Sequence, residues 1–269
     1  MSALPQRIIC LTTETVEVLY MLGEQDRIVG ISGYTTRPAI ARQEKPKVSA
    51  FTTAKIDKIL ALKPDLVLGF SNLQADIAAA LIKAGVEVHV FNQRSVADIL
   101  RMILTTGRLV GASEKAENIV QEIEQQMKHV RETASILPRK PKVYFEEWDA
   151  PMMCSIRWAA ELIAMAGGED CFPELSQFHS ARERTVTPAQ VLARMPDIII
   201  GSWCGKKFQP TQVAAREGWA EMPAVKNGML FEIISADILQ PGPSVFTHGL
   251  KQLQRIILGW HHDNQGKTT

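Results

Sequence analysis

Short apolar runs alternate with amphipathic stretches along most of the chain. Residues 7–11 (Arg-Ile-Ile-Cys-Leu) read as a strand, and Thr12, Thr13, Glu14 and Thr15 offer cap residues for a helix over 16–22 that stops at Gly23. A strand over 28–31 leads into a Gly/Tyr/Thr/Pro loop over 33–38. Residues 55–62 carry a helical period, and 76–84, Gly85 and 86–91 read as helix, turn and strand. This alternation predicts a parallel sheet with crossover helices. From Ser113 the pattern changes: Ile119, Val120, Ile123, Met127 and Val130 recur at helical spacing to about Leu137 with no Gly or Pro. Such a rod, about 36 Å long, suffices to bridge two lobes. The scheme then restarts with a strand over 143–145, a loop over 146–151, a helix over 158–166 and a strand over 229–234. A loop over 235–244 and a closing helix over 245–260 follow, and the polar tail from His261 reads as frayed.

The chain also repeats itself. Leu60-Ala61-Leu62-Lys63-Pro64-Asp65-Leu66-Val67-Leu68-Gly69-Phe70 returns as Leu192-Ala193-Arg194-Met195-Pro196-Asp197-Ile198-Ile199-Ile200-Gly201-Ser202-Trp203. In each copy a helical phrase stops at Pro, and a branched apolar run then reads as a strand buried on both faces and ending at Gly before an aromatic. The copies lie 132 residues apart, from Asp65 to Asp197. That is far beyond a solenoid period of roughly 20–50 residues, so the repeating unit is a lobe. The expected fold is α/β: two Rossmann-like lobes with mainly parallel sheets, over 1–112 and 139–269, joined by one long helix over 113–138.

Composition narrows the partners. With 269 residues and 46% hydrophobic content the chain can bury two cores. A formal charge of +1, from 30 basic and 29 acidic residues, gives no electrostatic footprint for nucleic acid. Cys10, Cys154, Cys171 and Cys204 lack the spacing of zinc, haem or redox motifs, and no intrinsic cofactor or metal is expected. The apolar run over 8–11 is too short for a signal peptide, so the sequence as written reads as a cytoplasmic monomer, and as periplasmic if an export segment has been removed.

Candidate chemistry gathers where strands end. Dinucleotide, phosphate-loop, hydrolase-elbow and zinc-protease motifs are missing. Gly201-Ser202-Trp203-Cys204-Gly205 is weighed as a nucleophile turn, but regular His partners are wanting, which favours ligand-wall or packing roles for Ser202 and Cys204. Glu146 and Glu147 end a strand as Thr13 and Glu14 do in the first lobe. They read either as structural caps or as polar ligand contacts. Tyr34, Phe70, Trp148 and Trp203 follow strands in a chain with only 6% aromatics, which argues for a flat apolar ligand contacted from both lobes.

The order of these pieces resembles the ABC-transporter substrate-binding proteins for cobalamin, haem and ferric siderophores, nearest to the cobalamin-binding members. The resemblance rests on the strand over 7–11, the turn and strand over 26–32, Tyr34 before Pro38, and the two Pro-Asp phrases. It implies a single interlobe helix, little domain closure and a ligand held between lobes, with Phe70 and Tyr34 on one wall and Trp203 on the other. Thr13, Glu14, Ser71, Glu147, Trp148, Ser202 and Cys204 complete the expected ligand set. Siderophore binders place Arg in the cleft, and only Arg37, Arg157 and Arg182 qualify here, which favours a corrinoid. The resemblance further implies docking on an ABC importer permease through an acidic residue on the helix before each Pro-Asp strand. Asp57 fills the first position, and Ala189 stands at the second, which weakens docking unless Glu183 substitutes. A tetrapyrrole enzyme or metallochaperone, needing a His or carboxylate cluster, and a ligand-sensing module are the alternatives.

Overall fold

The computed structural model describes residues 4–265. It contains two compact units, one holding residues up to Glu122 with Pro241–Pro243, the other holding Ile123–Gln240 and the chain from Ser244 on. In the first unit β1 (Ile8–Cys10), β2 (Ile28–Ser32), β3 (Lys47–Ser49), β4 (Leu66–Phe70) and β5 (Val88–Phe91) form one sheet in the order β3-β2-β1-β4-β5. Every pairing is parallel. The second unit contains β6 (Lys142–Glu146), β7 (Trp148–Asp149), β8 (Met152–Met153), β9 (Glu169–Asp170), β10 (Ile198–Gly201) and β11 (Leu230–Glu232). Its parallel sheet runs β11-β10-β6-β9, and β7 and β8 make a separate antiparallel hairpin inside the expected loop over 146–151.

The branched apolar runs lie where a doubly covered sheet needs them: Ile8, Ile9, Ile198, Ile199 and Ile200 are fully buried. The two Pro-Asp phrases do the same structural work in each unit. Asp65 accepts hydrogen bonds from the backbone N–H of Gln6 (2.7 Å) and Arg7 (2.9 Å), just before β1. Asp197 accepts one from the N–H of Lys142 (2.9 Å) at the start of β6 and is paired with Arg139 at 3.0 Å. Each Asp also donates its own N–H to the same neighbour, to the carbonyl of Arg7 or of Lys142. The carboxylate thus satisfies donors at the open end of the adjacent parallel strand and fixes its register. Lys63 and Met195, each just before the Pro, both adopt φ of 47°.

Several local expectations are corrected. The helix Val96–Val110, unassigned in the sequence, begins at Ser95, whose Oγ accepts from the N–H of Asp98 at 3.2 Å. The long helix runs over Ser113–Ser135. Its first turns pack with the first unit, where Lys115 Nζ donates to the carbonyl of Leu22 at 2.8 Å. A Cβ on Gly107 would sit 2.4 Å from that of Ala116. A helical turn, Ser235–Ile238, interrupts the expected loop over 235–244. The closing helix continues over Lys251–Gln265, so His261 is buried against Trp260, ring centroids 5.0 Å apart, rather than frayed. Residues 266–269 of the expected tail lie outside the described residues. Among the described residues no helix is long and apolar enough to cross a membrane.

Candidate functional site

In an open parallel sheet the ligand crevice forms at the carboxyl ends of two neighbouring strands whose connections depart in opposite directions. In the first unit those strands are β1 and β4, since β1 leads towards β2 on one side and β4 towards β5 on the other. In the second they are β6 and β10. Thr13, Glu14 and Ser71 follow the first pair, Phe70 being the last residue of β4, and Glu147, Trp148, Ser202, Trp203 and Cys204 follow the second.

The first unit buries most of its candidates. Thr13 Oγ1 accepts from the N–H of Thr36 at 3.1 Å, tying the helix start to the loop after β2. Glu14 is 4% exposed, and its Oε2 has no hydrogen-bond partner. Burial pushes its carboxyl group above the ordinary range. Gly242 lies directly against it: a Cβ there would stand 2.9 Å from Glu14 Cβ. The neighbouring Pro241 carbonyl accepts from Gln93 Nε2 at 3.0 Å. Glu14 is therefore a covered group in this structure. Phe70 is also buried, its ring 6.5 Å from that of Phe51 and beneath the guanidinium of Arg94 at 5.2 Å. Ser71, at φ 60°, turns the chain, and its Oγ accepts from the N–H of Leu73 at 3.3 Å. Tyr34 alone among these is mostly open, at 62% exposed.

The second unit is organised around Glu146, whose side chain is wholly buried. Its carboxylate takes two hydrogen bonds from Arg216, at 2.6 and 2.9 Å, one from Tyr144 Oη at 3.0 Å and one from Trp203 Nε1 at 3.0 Å. Glu146 is thus held inside the core by three side chains, where the sequence suggested a cap or a ligand contact. Glu147 is engaged likewise, paired with buried Arg184, which also donates to the carbonyl of Cys154 at 2.8 Å. Trp203 is 4% exposed, with Phe208 edge-on at 5.0 Å. A buried indole needs an acceptor, and Glu146 supplies it inside the core. Ser202 is fully buried, and its Oγ has no hydrogen-bond partner among the described residues. Cys204 is exposed.

Trp148 is half-buried in the β7–β8 hairpin and fixed by its Nε1 donating to the carbonyl of Ala150 at 2.8 Å. Lys206 Nζ lies 4.4 Å from the Trp148 ring centroid and 4.9 Å from that of Trp203, and is paired with Asp149. Neither Lys206 nor Arg94 figured among the expected cleft cations. The signal for Arg94 was its place directly after β5; that for Lys206 was a Gly-Lys-Lys turn after β10. Of the cations that were expected, Arg157 is paired with Glu161 at 2.9 Å.

The sequence profile of the periplasmic binding protein family matches residues 8–236. An uncharacterized ABC transporter substrate-binding lipoprotein of Bacillus subtilis is 25% identical over 268 residues, covering 94% of this chain and 80% of that protein. A vitamin B12-binding protein of Vibrio parahaemolyticus is 23% identical over 246 residues, covering 88% of this chain and 84% of its own. Among solved structures, a periplasmic heme-binding protein in complex with two hemes has the same fold. It superposes with a TM-score of 0.81 at 20% identity, over 95% of this chain and 98% of that one.

Proposed function

The chain belongs to the periplasmic binding protein family, and from that premise we propose that it is the substrate-binding component of an ABC importer, carrying a metal chelate of the corrinoid, haem or siderophore kind. The observation that carries the reading is the set of aromatics at the carboxyl ends of the sheet strands. Tyr34 and Phe70 belong to the first unit, Trp148 and Trp203 to the second. Flat, largely apolar ligands are gripped by such side chains; here Tyr34 and Trp148 offer the accessible faces, and Phe70 and Trp203 lie buried at the same strand ends. The names of the relatives, vitamin B12-binding and lipoprotein, support both the ligand class and work outside the cytoplasm, against the cytoplasmic expectation. Corrinoids, the first expectation from sequence, stay within the proposed class.

Titration with cyanocobalamin, haem and ferric siderophores, followed by absorbance and calorimetry, tests the reading. At least one should bind tighter than about 10 μM, near −7 kcal/mol. Trp148→Ala and Tyr34→Ala should each weaken it by about 2 kcal/mol, as truncated aromatic anchors do, whereas Trp260→Ala should not. Silence towards every chelate would sink the proposal.

Docking on the importer is proposed to use Asp57, exposed in the first turn of the helix Ile56–Ala61. The same place in the helix Pro188–Arg194 holds the exposed Ala189. Close interfacial charge pairs have coupling energies of about 1.5–7 kcal/mol. In nanodisc binding assays with a cobalamin- or haem-type importer, Asp57→Ala should weaken docking and Ala189→Glu should strengthen it. No gain from the added carboxylate would remove the second contact from the proposal and point to Glu183 or another acid.

A further inference from the structure

β11 stands at the edge of the second unit's sheet, and among the described residues β10 is its single strand neighbour. Ile199 donates to the Met229 carbonyl and Ile233 to the Gly201 carbonyl, so the alternation of a strand turns the N–H and C=O groups of Leu230 and Glu232 away from the sheet. No Pro, Lys or bulge blunts this edge. Its one charge, Glu232, is turned to its own chain, accepting from the N–H of Phe208 at 2.8 Å. Beside the edge, against the helix Lys251–Gln265, lies an open cavity of about 370 Å³ walled by Met229, Phe231, Ile256 and Trp260.

Along the rim of that cavity the helix presents three exposed residues, Arg255, Gly259 and Asp263, each four positions from the next. Among the described residues Arg255 makes no ion pair, and Asp263 has a single contact of that kind, with His262 at 3.8 Å. A Cβ on Gly259 would meet nothing within 4 Å. Four residues rise about 6 Å, so the cation and the anion stand at equal distances on either side of the glycine.

A twofold axis through Gly259 makes this order its own complement. In a twofold contact residue i of one chain meets residue j of the other, and j meets i. Two such helices packed antiparallel about the glycine set Arg255 of each chain against Asp263 of the other, and the bare glycines let the backbones approach. The same axis, standing upright on the sheet, lays the two β11 edges antiparallel, where the outward groups of Leu230 and Glu232 can pair, and it covers the cavity. A different protein would have to bring a matching acid, base and open strand edge; a second copy carries all three. We propose that this surface joins two copies of the chain in a twofold dimer, with one sheet continued across both. The contact lies wholly in the second unit, is independent of the ligand, and replaces the monomer expected from the sequence.

Sedimentation velocity of the full chain over about 1–200 μM tests it. The native chain should pass from one chain mass to two. Arg255→Glu alone and Asp263→Arg alone should each raise the dimer dissociation constant about tenfold or more, since each sets like charges against one another at both ends of the interface. An equimolar mixture of the two variants should dimerise as the native chain does, and so should the double variant, because opposite charges again face one another. Gly259→Gln, for which the single chain has room, should block association without lowering the thermal unfolding midpoint. Added salt should weaken the native dimer. A chain that stays single at all these concentrations would overturn the inference. So would a dimer indifferent to both charge reversals and to Gly259→Gln, or two weakened variants that fail to rescue each other when mixed.

Discussion

Glu146→Ala should lower the stability of the second unit by about 3–5 kcal/mol, the usual cost of stripping one partner from a buried ion pair. The Arg216 side chain is only 17% exposed and would lose both its hydrogen bonds. Tyr144 Oη and Trp203 Nε1 would lose their acceptor in a core where neither finds water. Urea unfolding followed by tryptophan emission measures both consequences, the lower midpoint and the released indole of Trp203. The control is Glu146→Leu with Arg216→Met, which replaces the pair by apolar bulk and should be markedly less destabilising than either single change. A Glu146→Ala loss under about 1 kcal/mol would mean that water or another donor network takes over the pocket. Because Trp203 lies in the loop after β10 that is proposed to meet the ligand, the same substitution should also weaken chelate binding although Glu146 need not touch the ligand.

That distinction marks where the sequence could be read and where it could not. Parallel strands, the long helix and the two-lobed α/β class were legible because they follow from periodicity and from the Pro-Asp repeat, which are local signals. The switch points were legible too: a residue after β1, β4, β6 or β10 is at a switch point whatever its side chain does. Burial was not legible. Nothing near Trp203 in the chain announces that Glu146 will accept its N–H across 57 positions, or that Gly242 will close over Glu14 from the far end of the sequence. Arg94 and Lys206 escaped for a related reason: a cation reaches an aromatic face by the way loops fold, and linear spacing does not encode that. The helix Val96–Val110 is different. Its buried Val96, Ile99, Met102, Ile103 and Val110 keep a full helical period, so the signal was present and unassigned.

The repeated glycine gives the second large prediction. Gly69 and Gly201 hold matching places in the two copies, and the repeat makes both look like turn residues. Their surroundings give another reason, which is space. A Cβ on Gly201 would lie 1.8 Å from Phe208 Cδ2 and 2.2 Å from its Cε2, because the loop after β10 folds this ring back over the strand end. Phe208 is itself fully buried and edge-on to Trp203, so it has nowhere to retreat. At Gly69 the nearest atom is Gln74 Oε1 at 3.0 Å, the tip of a side chain that must give by only a few tenths of an ångström. Gly201→Ala should therefore cost about 3 kcal/mol, at the upper end of core overpacking, and Gly69→Ala about 1 kcal/mol. Denaturant midpoints of the two variants test the ordering directly. In the double variant Gly201→Ala with Phe208→Ala, the cost should fall well below the sum of the single costs, since removing the ring removes the clash and sites in contact couple. Additive losses would show that Gly201 is needed for its backbone instead. Equal tolerance at both glycines would mean that the loop carrying Phe208, and with it the Lys206 turn, rearranges freely around the strand end.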